Sequence, residues 1–180
     1  MGSSAHQDAE AARVRPLPCG AAEVAKWYRS RLGWPVEVVD RGVHLLLTGG
    51  LVGFEVPGHQ AGGVVERLTD FGAVGPALRI GERDGRVVFL CDVNDAVFAQ
   101  SEMPVGTRYL RAPVSLPLPS PRPSQSWFVA PEPNRPWLPS AGAVLHAVRA
   151  AAAAAAGAMA CRQVPVHRLE PVRRWRGSAG

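Results

Sequence analysis

Glycine and proline interrupt this chain so often that its elements must be short, and this limits the fold more than any other feature. The 180 residues include 19 glycines and 17 prolines, a composition that indicates many turns between brief helices and strands. Hydrophobic residues make up 47% of the chain, enough for a sizeable core at this length. The simplest arrangement is one globular domain with tails.

The spacing of apolar residues predicts both helices and strands. Helices are predicted at 20–32, with Gly33 placed to cap the C-terminal end, and at 59–71. Ser140 is placed to cap a third helix from 141 to about 158. A short helix capped by Asp92 is predicted at 92–100, and a polyproline connector at 113–123. Strands are predicted at "WPVEVVD", "VHLLLTG", "LVGFEVP", "GPALRIG", "GRVVFLCD", "GTRYLRAPV" and "SQSWFVAP". Because strands and helices do not alternate regularly, we predict a single α+β domain with a mixed or antiparallel sheet packed by helices.

Charge and targeting signals divide the chain into three parts. Residues 161–180 carry five arginines and one glutamate, whereas residues 1–160 are almost neutral. We therefore expect a disordered arm over 1–18, the domain over 19–160 and a basic tail over 161–180. The first 15 residues contain no apolar signal segment, and the alanine-rich stretch 141–160 contains His146 and Arg149. These features predict a cytoplasmic protein with no membrane partner.

The stretch "GGLVGFEVPGHQAGG" at 49–63 is the first candidate site. A phosphate loop would need a lysine after its last glycine, but the only lysine, Lys26, lies far away in the first helix. A metal site would need two carboxylates on one strand face, yet Gly53 is the residue that shares the face of Glu55. The pattern favours a core strand with Glu55 at its open end and inward-facing Val52, Phe54 and Val56.

Two further segments are candidates for binding. Arg108, Tyr109 and Arg111 in "TRYLRAP" combine an aromatic ring with basic neighbours, as surfaces that stack nucleic-acid bases do. The segment "PNRPWLP" contains PxxP steps of the kind that bind aromatic grooves of partner proteins. Packed aromatic side chains and a packed loop are the simpler interpretations. The five histidines have no ligand spacing, and no metal site is predicted.

The order of several segments resembles a known family. These are "WYRSRLGWPVEVV", "LVGFEVPG" before a helix ending "ERLTDFG", then "VGPAL", "GRVVFL", "GTRYLRAPVSLPLPS" and "WFVAPEPNRPWLPSA" before an alanine-rich helix. Over about 20–150, this order is similar to short actinobacterial proteins related to the N-terminal domain of bifunctional DNA primase/polymerases. The resemblance implies that family's fold and a nucleic-acid context.

Matched residue by residue, the resemblance also implies that catalysis is degenerate. The family's acid–hydrophobic–acid motif falls on Gly53-Phe54-Glu55 and retains only Glu55 as the remnant catalytic acid. The strand that carries the family's phosphate-binding histidine falls near 86–89, where Arg86 stands instead. No acid occupies the third ligand position near "RYLRAPV". The candidate nucleic-acid contacts are Arg86, Arg108, Tyr109, Arg111, Arg173, Arg174 and Arg176.

We therefore expect a non-catalytic primase/polymerase-like module that binds DNA, a nucleotide or a protein partner, with no resident cofactor. One alternative is an active Mg²⁺-dependent nucleotidyltransferase whose acids have moved to Asp40, Asp92 or Asp95. The other is a protein-interaction domain that uses its proline-rich loops and has no nucleic-acid role.

Overall fold

The computed structural model describes residues 20–81, 85–94, 98–119, 126–133 and 136–162, with side chains to residue 158. The predicted arm at 1–18 and the tail beyond 162 therefore lie outside the described residues. The helices are α1 (Ala21–Leu32), α2 (Gly58–Asp70) and α3 (Ala141–Arg162), with one 3-10 turn at Gln100–Glu102. The strands are β1 (Val36–Val39), β2 (Gly42–Leu47), β3 (Leu51–Pro57), β4 (Ala77–Ile80), β5 (Arg86–Asp92), β6 (Arg108–Leu110), β7 (Val114–Leu118) and β8 (Trp127–Val129).

A five-stranded sheet in the order β6-β3-β5-β4-β8 forms the centre of the fold, and all of its pairings are antiparallel. Helices α2 and α3 cover one face. The side chains of Val52, Phe54 and Val56 point into this helical layer, because alternate residues of a strand share a face. The predicted α+β class and the predicted inward-facing positions of β3 are both confirmed.

A smaller antiparallel sheet in the order β1-β2-β7 packs, together with α1, on the other face of the central sheet. Tyr28 of α1 is fully buried there and stacks on Trp34 with ring centroids 5.7 Å apart. Its hydroxyl donates a hydrogen bond to the carbonyl of Pro119 at 2.8 Å. Burial raises the pKa of Tyr28 well above its ordinary value.

Two of the predicted helix caps, Gly33 and Ser140, are confirmed. Helix α1 ends at Gly33, whose left-handed φ of 67° lets its N–H bond to the carbonyl of Arg29. Ser140 Oγ accepts a hydrogen bond from the N–H of Ala143 at 3.2 Å. Within the described residues, α3 is the one helix long and apolar enough to cross a membrane. Its first turns bury Val144, Leu145 and Val148 in the core, and 33% of the apolar window Ala141–Ala158 is buried.

Two local predictions were wrong. The polyproline connector predicted at 113–123 contains β7, which pairs with β2. Leu46 N–H donates a hydrogen bond to Pro35 C=O, on the β1 side of β2. Because alternate residues of an antiparallel strand direct their backbone groups to the same side, the backbone groups of His44 also face β1. Pro117 lies opposite His44, so its nitrogen faces away from the sheet and no ladder donor is lost.

The second wrong prediction is the helix over 92–100, of which 95–97 lie outside the described residues. Asp92 ends β5, and its Oδ1 accepts a hydrogen bond from the N–H of Asn94 at 3.0 Å. This closes a turn instead of capping a helix, and no helix is present at 92–94 or 98–99. The strand predicted at "GTRYLRAPV" divides into β6 and β7 around a cis bond between Ala112 and Pro113.

Side chains occupy the outer edges of two strands. The side-chain amide of Gln100 donates a hydrogen bond to the carbonyl of Thr107 at 2.9 Å and accepts one from Tyr109 N–H at 3.0 Å. It thereby makes the two hydrogen bonds that the backbone of an adjacent strand would make with β6. The guanidinium of Arg29 donates two hydrogen bonds to the outward carbonyl of Val36 in β1. Together with the outward-facing Pro117, these contacts protect three strand edges from further pairing.

Candidate functional site

Glu55 is held in the middle of the central sheet. It lies on β3 with Val88 of β5 opposite on one side and Arg108 of β6 on the other. Its side chain points away from the α2–α3 layer, because Phe54 and Val56 face those helices. The side chain is only 10% exposed, so Glu55 is more enclosed than the open strand end expected from the sequence.

Two arginines neutralise the Glu55 carboxylate. Arg86 Nε faces Glu55 Oε1, and Arg108 Nη1 lies 3.5 Å from Oε2. Arg86 also donates through Nη2 to the carbonyl of Gly106. The side chain of Arg86 is 38% exposed and that of Arg108 is 67% exposed, so both guanidinium groups retain donors toward solvent. The cluster of these three charged residues carries a net positive charge.

The position before Glu55 on the same face has no room for a second acid. A Cβ added to Gly53 would lie 2.7 Å from Cγ1 of Val88, closer than real Cβ atoms come to such a neighbour. Val88 itself is fully buried. The backbone of Gly53 is not left-handed, so side-chain crowding, and not φ, is what excludes a larger residue here.

A Mg²⁺ ion of the kind that the active-nucleotidyltransferase alternative requires does not fit this site. Mg²⁺ needs several oxygen ligands in near-octahedral geometry, and the Glu55 carboxylate already forms ion pairs with Arg86 and Arg108. Within the described residues, no three His, Cys, Asp or Glu side chains form a group that could hold a metal ion. Asp92 pairs with Leu51 at the far end of β3, and Asp40 lies in the β1–β2 turn. Asp95 is outside the described residues.

The predicted base-stacking surface is not assembled as one patch. Arg108 and Tyr109 are consecutive on β6 and point to opposite faces. The ring of Tyr109 packs on Phe54 and Phe98 at centroid distances of 5.3 and 5.6 Å, on the helical side. Arg111 follows β6 and is exposed. The structure thus brings together Glu55, Arg86 and Arg108; the tail residues Arg173, Arg174 and Arg176 lie outside the described residues.

Helix α2 begins beside the backbone of Arg86. Pro57 pairs with Arg86 across β3 and β5, and the helix begins at the next residue. The first turn contains no acidic residue and no side-chain cap, so its free N–H groups leave a partial positive charge. Sequence reasoning missed this juxtaposition, although the pairing of β3 with β5 would have placed Arg86 beside the "PG" that opens α2.

A comparison with protein-family models, curated proteins and solved structures finds no match for this chain. Its function must therefore be inferred from the geometry of its own residues.

Proposed function

We propose that this protein is a cytoplasmic, non-catalytic primase/polymerase-like domain that binds the phosphate backbone of nucleic acid. The binding surface is the arginine cluster at the start of α2. The observation that carries the proposal is the state of the acid motif: Glu55 is engaged by two arginines, and Val88 fills the space beside Gly53.

The loss of metal ligands supports the non-catalytic part of this proposal. Two-metal phosphoryl transfer depends on acids that hold both ions against the attacking and leaving oxygens. A single carboxylate that already neutralises Arg86 and Arg108 supplies no such pair. The alternative of an active nucleotidyltransferase receives no support from Asp40 or Asp92, because neither lies beside Glu55.

The charge of the surface supports phosphate as the ligand. Arg108 is exposed, and the partly exposed Arg86 lies opposite Pro57, the residue before α2. Arg111, which directly follows β6, adds a further exposed positive charge on the same strand segment. Guanidinium groups form charge-assisted, bidentate hydrogen bonds with phosphate oxygens. Because Tyr109 is directed inward, we expect backbone contacts without base stacking, and hence little sequence preference.

Catalysis is tested by primer synthesis and primer extension with Mg²⁺ or Mn²⁺. We expect no product from the unaltered chain and no difference in Glu55→Gln. Product from the unaltered chain that disappears in Glu55→Gln would establish the nucleotidyltransferase alternative and contradict the proposal.

Binding is tested by titrating single- and double-stranded DNA over a series of salt concentrations. The double variant Arg108→Gln/Arg111→Gln should weaken binding and reduce the slope of log K against log salt by about one per lost phosphate contact. A control with Arg67→Gln and Arg149→Gln neutralises two exposed arginines whose partners, Asp70 and Glu102, lie elsewhere. The control should keep most of the affinity.

The tail is tested separately by Arg173→Gln/Arg174→Gln/Arg176→Gln. If this variant loses all binding while the Arg108/Arg111 variant loses none, DNA affinity belongs to the tail and the proposed surface is wrong. If the unaltered chain binds no DNA even at low salt, the protein-interaction alternative replaces the proposal.

A further inference from the structure

A groove lies at the other end of α2, away from the arginine cluster. It has a volume of about 280 Å³ and is formed by the C-terminal end of α2, the loop that follows it, the end of β8 and the proline-rich loop. Its lining includes Thr69, Gly72, Val74, Val129, Glu132 and Trp137. Helix α2 has 13 residues, so its two ends are about 20 Å apart at 1.5 Å per residue.

Three features of this groove favour a cation. The side chain of Trp137 is half exposed, and the face of an indole ring attracts cations. Glu132 is exposed, and no ion pair or hydrogen bond engages its carboxylate within the described residues. The groove also receives the C-terminal end of α2, which is the negative end of the helix dipole, with the carbonyls of Leu68 and Thr69 accepting hydrogen bonds from the N–H groups of Ala73 and Gly72. The helix end, the carboxylate and the aromatic ring each attract a cation independently of the other two.

The wall that carries Trp137 is held against the rest of the fold. A Cβ added to Gly75 would overlap the ring of Pro139, so this loop packs as closely on residue 75 as a glycine permits. The carbonyl of Pro139 accepts a hydrogen bond from Asp92 N–H at 2.9 Å. Trp137, two residues away, therefore projects from a fixed support, which reduces the entropy lost when a ligand binds.

We propose that this groove binds an arginine-bearing segment of a partner protein. The planar guanidinium stacks on the indole of Trp137 and forms an ion pair with Glu132, which matches the geometry of arginine better than that of lysine. A nucleic-acid phosphate would be repelled by Glu132 and by the end of α2. A purely apolar segment would remove the Glu132 carboxylate from water without compensation.

The test uses the full-length chain and a fluorescein-labelled peptide, Ala-Arg-Ala-Arg-Ala, followed by fluorescence anisotropy at low salt. The same peptide with citrulline in place of arginine keeps the shape of the side chain and removes its charge. We expect the arginine peptide to bind about ten-fold more tightly than the citrulline peptide, on the scale of one cation–π contact plus one ion pair.

Variants of the chain locate the binding. Trp137→Ala and Glu132→Gln should each weaken binding of the arginine peptide about five-fold, and Trp137→Phe should recover part of the loss. Glu66→Gln, which neutralises an exposed acid on the side of α2, is the matched control and should leave affinity unchanged. Equal binding of both peptides, or no effect of Trp137→Ala in a variant whose circular dichroism is unaltered, would overturn the proposal.

Discussion

Replacing Gly53 by alanine tests whether the acid motif is closed by packing. The added Cβ would lie 2.7 Å from Val88 Cγ1, and overpacking of this kind costs about 1–3 kcal/mol. The reduced entropy of the unfolded chain returns about 0.4–1 kcal/mol. We therefore expect Gly53→Ala to lower the free energy of unfolding by about 1–2 kcal/mol. Val88 can relieve the contact only with difficulty, because its branched Cβ restricts the rotamer.

The partner variant Val88→Ala removes two methyl groups from a fully buried site and should cost about 2–3 kcal/mol. In the double variant, the methyl group added at position 53 occupies part of the vacated space. The cost of the double variant should therefore be smaller than the sum of the two single costs by about 1–2 kcal/mol.

Urea unfolding followed by circular dichroism measures all three variants against the unaltered chain. Gly62→Ala is the matched control, because nothing lies within 4 Å of a Cβ added there. On an exposed helical turn, it should stabilise the protein by about 0.5–1 kcal/mol. Additivity of Gly53→Ala and Val88→Ala within about 0.5 kcal/mol would show that the two sites do not compete for space. An acid at position 53 would then be excluded for some other reason.

Three further perturbations follow from the contacts described above. Glu55→Gln should lower the free energy of unfolding by about 2 kcal/mol, because it leaves the partly buried Arg86 without its carboxylate; a rise in the urea midpoint would contradict this role. Gln100→Ala should cost about 1 kcal/mol and make sedimentation depend on concentration, because the outer edge of β6 is opened; a variant that remains monomeric would show that the edge is covered in another way. The raised pKa of Tyr28 means that the folded state keeps a proton that the unfolded state releases, so stability should fall as pH rises above about 10. Tyr28→Phe should show a shallower fall in urea midpoints over that range, and an identical fall would assign the effect to other groups.

Local rules predicted the elements that depend on neighbouring residues. The ends of α1 and α3 follow from Gly33 and Ser140, whose capping chemistry acts within a few residues. The inward face of β3 follows from the alternation of Val52, Phe54 and Val56. These features required no knowledge of which strands pair.

The elements that depend on distant pairing could not be predicted. Pro117 is acceptable in β7 because, within the described part of the chain, that strand lies at the sheet edge and pairs only with β2. Nothing near residue 117 in the chain encodes this. The ion pairs of Glu55 join residues that are 31 and 53 positions apart. The sequence identified Glu55, Arg86 and Arg108 as candidates for separate roles, whereas the sheet brings them into one cluster.

The protected strand edges bear on how substitutions in this chain would be tolerated. Arg29 and Gln100 each hydrogen-bond to a backbone that no further strand accompanies within the described residues, and Pro117 turns its nitrogen outward. Substitutions at these positions should increase self-association at high protein concentration more than they lower the folding stability of the monomer. A screen of dilute protein would rate many of them as mild. Expression at high concentration would reveal their cost as self-association.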